Sequence, residues 1–347
     1  MQMQDSKPIK ANFQYSLENF RGLAIVFVVF SHFSSFEKLG GIGDFLLFLF
    51  RDATTWFVFI SGYLFNYIEQ RRFSYRTYLQ KKIKFVILPY VILSVPAIAA
   101  GIVSKQYIFI GLDPLPYSLW SLIVGGPVIG PMWFIPMIAI FFLASPLFHR
   151  IGSSSLQYLI VMAALAFSLY SERPLYNMNP FLSFVHFSGF YILGVVASSN
   201  VKHIREYERT KSVMPIMCGA FLLFIVASAI YLLGDQYESI GFEEGLGTFN
   251  NAQFGKLALL VAVFFFFNRF LDKQNLILAW LAKISFGLFF MQGFFLQVFG
   301  QISGRFVISQ PLAVLMTEVA IVFGGSIVAV LVIKRVTGRW SRYVIGF

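Results

Sequence analysis

Glu18-Asn19-Phe20-Arg21-Gly22-Leu23-Ala24-Ile25-Val26-Phe27-Val28-Val29-Phe30-Ser31-His32 sets ionisable side chains at the two ends of an otherwise apolar run. Such a run is expected to cross a membrane, where an ionisable group is costly and therefore points to function. Arg21 and His32 are eleven residues apart. On a helix that is about 20° past three full turns, and about 16 Å along the axis. One helix thus carries a fixed cation at one depth and a titratable base at another, on nearly the same face.

The bulk numbers agree. The chain has 347 residues, is 58% hydrophobic and 12% charged, and contains 43 Phe; its mean hydropathy is +0.73. A soluble domain of that balance would have a greasy surface. Repeated apolar runs near the length of a bilayer crossing predict an all-α, polytopic transmembrane helical bundle. The runs are continuous rather than alternating, which argues against a β-barrel. One cysteine, Cys218, excludes an internal disulfide and is silent on compartment. The net charge of +11 is read as topology, not as a nucleic-acid surface, because basic residues hold cytoplasmic loops in place. The charged segment before the first run is long and no small-residue cleavage site follows His32, so the run reads as a retained span rather than a signal peptide.

Ten spans are predicted, at about 19–36, 52–68, 84–103, 132–149, 156–170, 180–199, 213–233, 255–271, 284–301 and 311–333. A single domain is expected: a tail over 1–17, a bundle over 18–334 and a tail over 335–347. With the N-terminus inside, 21 of the 27 basic residues fall on the cytoplasmic side. Only Lys38, Arg51, Lys105, Arg173, Lys256 and Arg305 fall on the other. That asymmetry puts both termini in the cytoplasm. The segment 235–244 holds four acids and no base, which fits the outside. The connection 104–131 is rich in Pro and Gly, which break helices; it reads as a tether or as a functional loop.

Several polar residues stand out inside the spans. Arg21 can be an interfacial anchor that snorkels or a ligand. His32 can bridge helices, or act as a general base near neutral pH. Lys81, Lys82 and Lys84 crowd the cytoplasmic mouth of the third span. They can attract anionic lipid or bind phosphates as point charges. Trp133 can belong to an interfacial aromatic belt or wall a pocket. Ser61, Ser285 and Gln292 can hydrogen-bond between helices; Ser285 and Gln292 share a face. His186 reads as structural or interfacial. Glu318 is a carboxylate in the middle of the tenth run, so a partner is expected for it.

The ordered set of motifs resembles acyltransferase family three, membrane proteins that move acyl groups, usually acetyl, from acyl-CoA to sugars and other acceptors. Glu18-x-x-Arg21-Gly22, with ten residues between Arg21 and His32, resembles the family's first helix. Phe59-Ile60-Ser61-Gly62-Tyr63-Leu64 resembles its Ser-Gly-aromatic motif, and Tyr78 to Tyr90 its basic stretch. Met132-Trp133-Phe134 and Ile284-Ser285-Phe286 to Gln292 resemble two later motifs. The likeness spans about residues 15 to 335. Two departures stand out. The family often has Arg-x-Arg where this chain has Lys82-Ile83-Lys84, which keeps charge but loses bidentate geometry. It often has His where this chain has Gln292, and Gln cannot serve as a base.

The resemblance implies an acyl-CoA-dependent O-acyltransferase of the bacterial cytoplasmic membrane, with acetyl-CoA the expected donor, no metal, and a hydroxyl of a cell-surface or exported polysaccharide as acceptor. It assigns Arg21, Lys82 and Lys84 to the donor phosphates, and His32, with Arg21 and Glu18, to catalysis. Ser61, Trp133, Ser285, Gln292 and Glu318 are candidates for the substrate pocket. Membrane lipid is the expected surroundings and nucleic acid is not an expected partner. A polytopic transporter is the alternative that composition also fits. Against it stand the absence of an inverted repeat and the few intramembrane carboxylates. A third reading joins the two, as acyl transfer across the bilayer.

Overall fold

A computed structural model describes residues 14–70, 72–126, 130–171, 173–174, 177–234, 249–305 and 310–347. The described residues form helices and no strand. Each of the ten expected spans falls on a helical segment. The first is α1, Tyr15–Phe30. The second is α2, Gly41–Phe50, followed across a break by α3, Thr54–Glu69. The third is α4, Tyr75–Val103. After α5, Pro114–Val124, come α6, Phe134–Leu143, and α7, Ser145–Gly152. Then follow α8, Gln157–Tyr170, α9, Pro180–Ser199, and α10, Val201–Thr210, which lies between spans. The last four spans are α11, Met214–Leu233; α12, Asn251–Phe270; α13, Leu276–Arg305; and α14, Pro311–Val344.

Seven of these segments are long and apolar enough to cross a membrane, and eight if the bent pair α6–α7 is one span. The remaining two expected spans are short: α1 has 16 residues and α8 has 14. α1 stops early for a local reason. Ser31 Oγ donates to the Val28 carbonyl at 2.8 Å and His32 Nδ1 lies 2.7 Å from the same oxygen. Side chains that bind backbone oxygens in this way compete with the helical ladder. The chain turns at His32 and resumes as a 3-10 helix, Ser34–Leu39. The 61° bend between α6 and α7 falls at Ser145-Pro146, where proline cannot donate to the preceding turn.

The segment before the second span is helical, as α2. Two sequence expectations change. The connection 104–131 contains α5: Pro114 and Pro116 sit in or just after its first turn, where a missing N–H costs little, so they start a helix instead of breaking one. The C-terminal tail is folded. The last helical stretch runs to Thr337, three residues beyond the expected bundle, and a short helix Ser341–Val344 packs back on α4. The acidic segment 235–244 lies outside the described residues, as do Lys7 and Lys10.

The bundle has the inside-out character expected in lipid. α11 turns Leu222, Leu223, Val226 and Ile230 outward. Lipid tails are as apolar as those side chains, so helix association rests on close packing of small residues. α3 packs most extensively on α9. A Cβ on Gly62 would lie 2.1 Å from the Tyr191 carbonyl, and one on Gly194 2.1 Å from the Phe59 carbonyl. α1 meets α13 in the same way, because a Cβ on Gly22 would lie 2.1 Å from the Leu278 carbonyl. Gly22→Leu is therefore expected to wedge the two helices apart. The cost of such overpacking is typically about 1–3 kcal/mol, read as a lower midpoint of thermal unfolding in detergent. An unchanged midpoint would show that the contact is not tight.

Candidate active site

α1 and α13 run side by side in the same direction. Gly22 faces Leu278, Arg21 reaches Ser285, and His32 shares a cavity with Gly293 and Leu296. Asn19 anchors the start of α1. Its amide donates to the carbonyls of Leu271 and Lys273, each at 2.8 Å. This fixes the depth of α1 against the loop before α13. Arg21, near the start of α1, and His32, in the turn at its end, are thereby set at two heights.

Arg21 opens on a cavity of about 370 Å³ at the end of the bundle that the basic residues assign to the cytoplasm. Its polar and ionisable wall is Arg21, Ser61, Glu69, Tyr78, Lys81, Lys82 and Arg342. Arg21 Nε donates to Ser285 Oγ at 2.9 Å, and Ser285 Oγ donates on to the Ala282 carbonyl at 2.8 Å. Ser285 thus spends its proton on its own helix and offers Arg21 a lone pair. The two terminal nitrogens of Arg21 have no hydrogen-bond partner among the described residues. A guanidinium held at Nε with its fork free is built to take an anion. Lys82 Nζ lies 4.7 Å from the Phe142 ring centre and 5.1 Å from that of Tyr78, so cation–π contacts steady it in the cavity wall. Arg342 is held 3.9 Å over the Phe85 ring.

His32 opens on a second cavity, of about 360 Å³, at the far end of α1. Ser34, Gly130, Pro131, Gly293, Gln297, Ser303 and Glu318 help to line it. A carbonyl can only accept, so the 2.7 Å contact to Val28 assigns the proton to Nδ1. The neutral ring then carries its lone pair on Nε2, the nitrogen a base needs. Glu318 answers the question of its partner. Its carboxylate accepts from the backbone N–H of Ser34 at 3.1 Å and of Ser35 at 3.0 Å. It caps the N-terminus of the 3-10 helix that follows His32, where a negative charge is favoured. Glu318 is a positioning residue for the turn that carries the imidazole.

The structure brings Arg21, Ser61 and Lys82 together in one cavity, with Ser285 behind Arg21, and places His32 and Glu318 in the other. It does not bring in the rest. Glu18 is half-buried at the start of α1 and makes no ion pair among the described residues. Lys84 is exposed, its ammonium 5.1 Å from the Tyr343 ring centre. Trp133 is buried, stacked on Phe187 at 5.9 Å with the Arg173 guanidinium 4.7 Å from its centre. Gln292 is fully buried and both polar atoms of its amide lack a partner among the described residues. His186 is structural in its contacts, with Nδ1 donating to the Ser171 carbonyl at 2.8 Å.

Sequence reasoning missed two features. Arg342 was counted only as a topological charge of the tail, and nothing in its local sequence marks it for the cavity. The other is a cluster at the break between α2 and α3. Asp52, at a left-handed φ of 53°, accepts from Arg173 Nη1 at 2.7 Å and lies 3.6 Å from Arg51 Nε. Lys256 Nζ donates to the Phe48 carbonyl at 3.2 Å beside it. A signal was present: Arg51-Asp52 interrupts an apolar run, and Arg173 and Lys256 are two of only six basic residues on that side.

The geometry is that of a two-ended site: a cationic cavity at one end of α1 and an imidazole with a free lone pair at the other. No curated protein and no solved structure matches the chain. A family model described as an acyltransferase domain matches residues 14–335, nearly the whole length. With its apolar helical bundle and this match, the chain belongs to acyltransferase family 3 and is a multi-pass membrane acyltransferase.

Proposed function

We propose that the protein takes acyl-CoA, with acetyl-CoA the expected donor, from the cytoplasm and transfers the acyl group to a hydroxyl of a sugar in a cell-surface or exported polysaccharide. The observation that carries this reading is the placement of Arg21, on α1, and His32, in the turn that ends it, in two separate cavities. The fork of Arg21, with Lys82, Lys81 and Arg342, offers charge to the phosphates of CoA. The pantetheine arm then runs along α1, over the roughly 10 Å rise from Arg21 to Val28, to the His32 ring at the helix end. His32 Nε2 takes the proton of the acceptor hydroxyl as its oxygen attacks the thioester carbonyl. The tetrahedral oxyanion collapses, the C–S bond breaks, and the imidazolium returns its proton to the departing thiolate as CoA-SH. The sugar acceptor and the bacterial cytoplasmic membrane follow the family resemblance.

The test uses sealed membrane vesicles of both orientations that contain the protein and its native envelope glycans. Acetyl-labelled CoA is added from outside. Label is expected in glycan only when the cytoplasmic face is accessible to the donor. Equal labelling from either face would remove the proposed polarity, and accumulation of an unacylated solute would favour a transporter.

A further inference from the structure

Three cavities lie in series along single stripes of three helical segments. On α1, Arg21 lines the cytoplasmic cavity, Val28 a middle one and His32 the outer one. On α13 the same order is Phe286, then Phe286 with Phe289, then Gly293 and Leu296. On α6 and the 3-10 turn before it, Phe134 lines the first two cavities, and Gly130 and Pro131 line the last. Spacings of three, four and seven residues keep the α13 stripe, and Arg21 with Val28 on α1, on one helical face; His32 and the Gly130-Pro131 turn continue the line beyond their helices.

The middle cavity is only about 10 Å³ and is walled by Val28, Thr54, Phe57, Phe134, Phe286 and Phe289. That is room for no more than about one water. The rings touch: Phe134 and Phe289 have centres 5.5 Å apart at 63°, and Phe286 and Phe289 lie 6.4 Å apart. The line from Arg21 to His32 therefore narrows to an aromatic waist. Val28 marks its height, about 10 Å above Arg21, and the His32 ring, 2.7 Å from the Val28 carbonyl, stands just beyond it.

We propose that Phe57, Phe134, Phe286 and Phe289 select the acyl donor by cross-section, admitting short unbranched acyl groups and rejecting branched ones. The inference rests on the acyl-CoA reading above and concerns what must pass the waist. The acyl group leads. Behind the thioester come the cysteamine and β-alanine segments, an unbranched run of about 14 Å at extended backbone dimensions. The first tetrahedral carbons of the arm that carry branches, one with a hydroxyl and the next with two methyls, lie beyond that run. With the thioester at His32, these carbons stay on the cytoplasmic side of the waist. The part of the arm that crosses carries nothing wider than single carbonyl oxygens on planar carbons, so a methyl branch on a tetrahedral carbon of the acyl group is the widest element that the waist meets. A linear chain displaces the rings no more than the arm itself does. An added methyl has to be packed against them, and one carbon in a tight apolar slot discriminates by about tenfold or more.

Butyryl-CoA and isobutyryl-CoA provide the test, because they are isomers of equal carbon count. Transfer of acyl label to glycan is measured in vesicles with each, and with acetyl-CoA, for wild type, Phe134→Ala and the milder Phe286→Leu. Wild type is expected to prefer butyryl over isobutyryl by about tenfold or more, and widening the waist to bring the ratio toward unity. The ratio is internal to each protein, so a general loss of rate in a variant does not obscure it. Equal use of the isomers by wild type, or a ratio unchanged in both variants, overturns the filter while leaving the acyl-CoA reading in place. Acetyl transfer with no four-carbon transfer by any of the three proteins also overturns the filter alone. No acetyl transfer by wild type overturns the acyl-CoA reading, and the filter with it.

Discussion

His32→Ala is expected to reduce acyl transfer by about 10²–10⁴-fold, the range that loss of a positioned general base costs. The reason lies in the tautomer. The Val28 carbonyl accepts the Nδ1 proton at 2.7 Å, so the neutral ring presents a lone pair at Nε2. Among the motif positions, Gln292 offers no replacement, since an amide is not a base and its buried polar atoms lack partners among the described residues. The fold is expected to tolerate the change. α1 is held by Asn19 at its start and by the Gly22 contact with α13, both far from residue 32. The turn after His32 is held independently by Glu318. Donor binding is expected to survive, because the cationic cavity does not include His32. The measurement is label transfer alongside stabilisation of the protein by CoA. A correctly folded His32→Ala protein that binds CoA and transfers acyl groups at a rate near wild type would sink the proposed mechanism.

The fold was legible because apolar runs in a membrane protein have few alternatives. Where the reading slipped, the cause was local. α1 ends at Phe30, not near residue 36, because Ser31 and His32 turn their side chains onto Val28. Pro114 and Pro116 read as breakers in the sequence, yet proline in a first turn is compatible with a helix. Lys82 and Lys84, which the resemblance pairs at the donor phosphates, part in the structure, where only Lys82 lines the cavity. Residues two apart on a helix point about 200° from each other, so one in the cavity puts the other outside it. A π-helical turn over Ile83–Ile87 follows directly and does not restore the alignment. Arg342 and the Asp52–Arg173 pair belong to a different class. They join positions far apart in the chain, and nothing in either stretch encodes the partner. Glu318 lies between: its need for partners was plain from its setting, but their identity, two backbone N–H groups of the turn after His32, required the fold.

Arg21→Ala is the second large effect, and it should appear in a different kinetic constant. If the Arg21 fork binds phosphate, its loss removes charge-assisted hydrogen bonds, each worth about 1.5–3 kcal/mol. At about 1.4 kcal/mol per decade, the KM for acyl-CoA should rise by about 10–100-fold. The rate at saturating donor should fall much less, because the chemistry takes place at the other end of α1. Such a split is the signature of an interaction made equally in the ground and transition states. Arg21→Lys should recover part of the loss: it keeps a charge but gives up the Nε bond to Ser285 and the fixed fork. Ser285→Ala should fall between the two, since it leaves the guanidinium in the cavity without its anchor. Lys84→Ala is the control that separates a phosphate site from general electrostatic attraction. It removes the same charge from the same end of the bundle, yet Lys84 stands outside the cavity over Tyr343. A donor KM that rises equally for Arg21→Ala and Lys84→Ala would mean that net charge at the membrane surface, rather than the Arg21 fork, holds the donor.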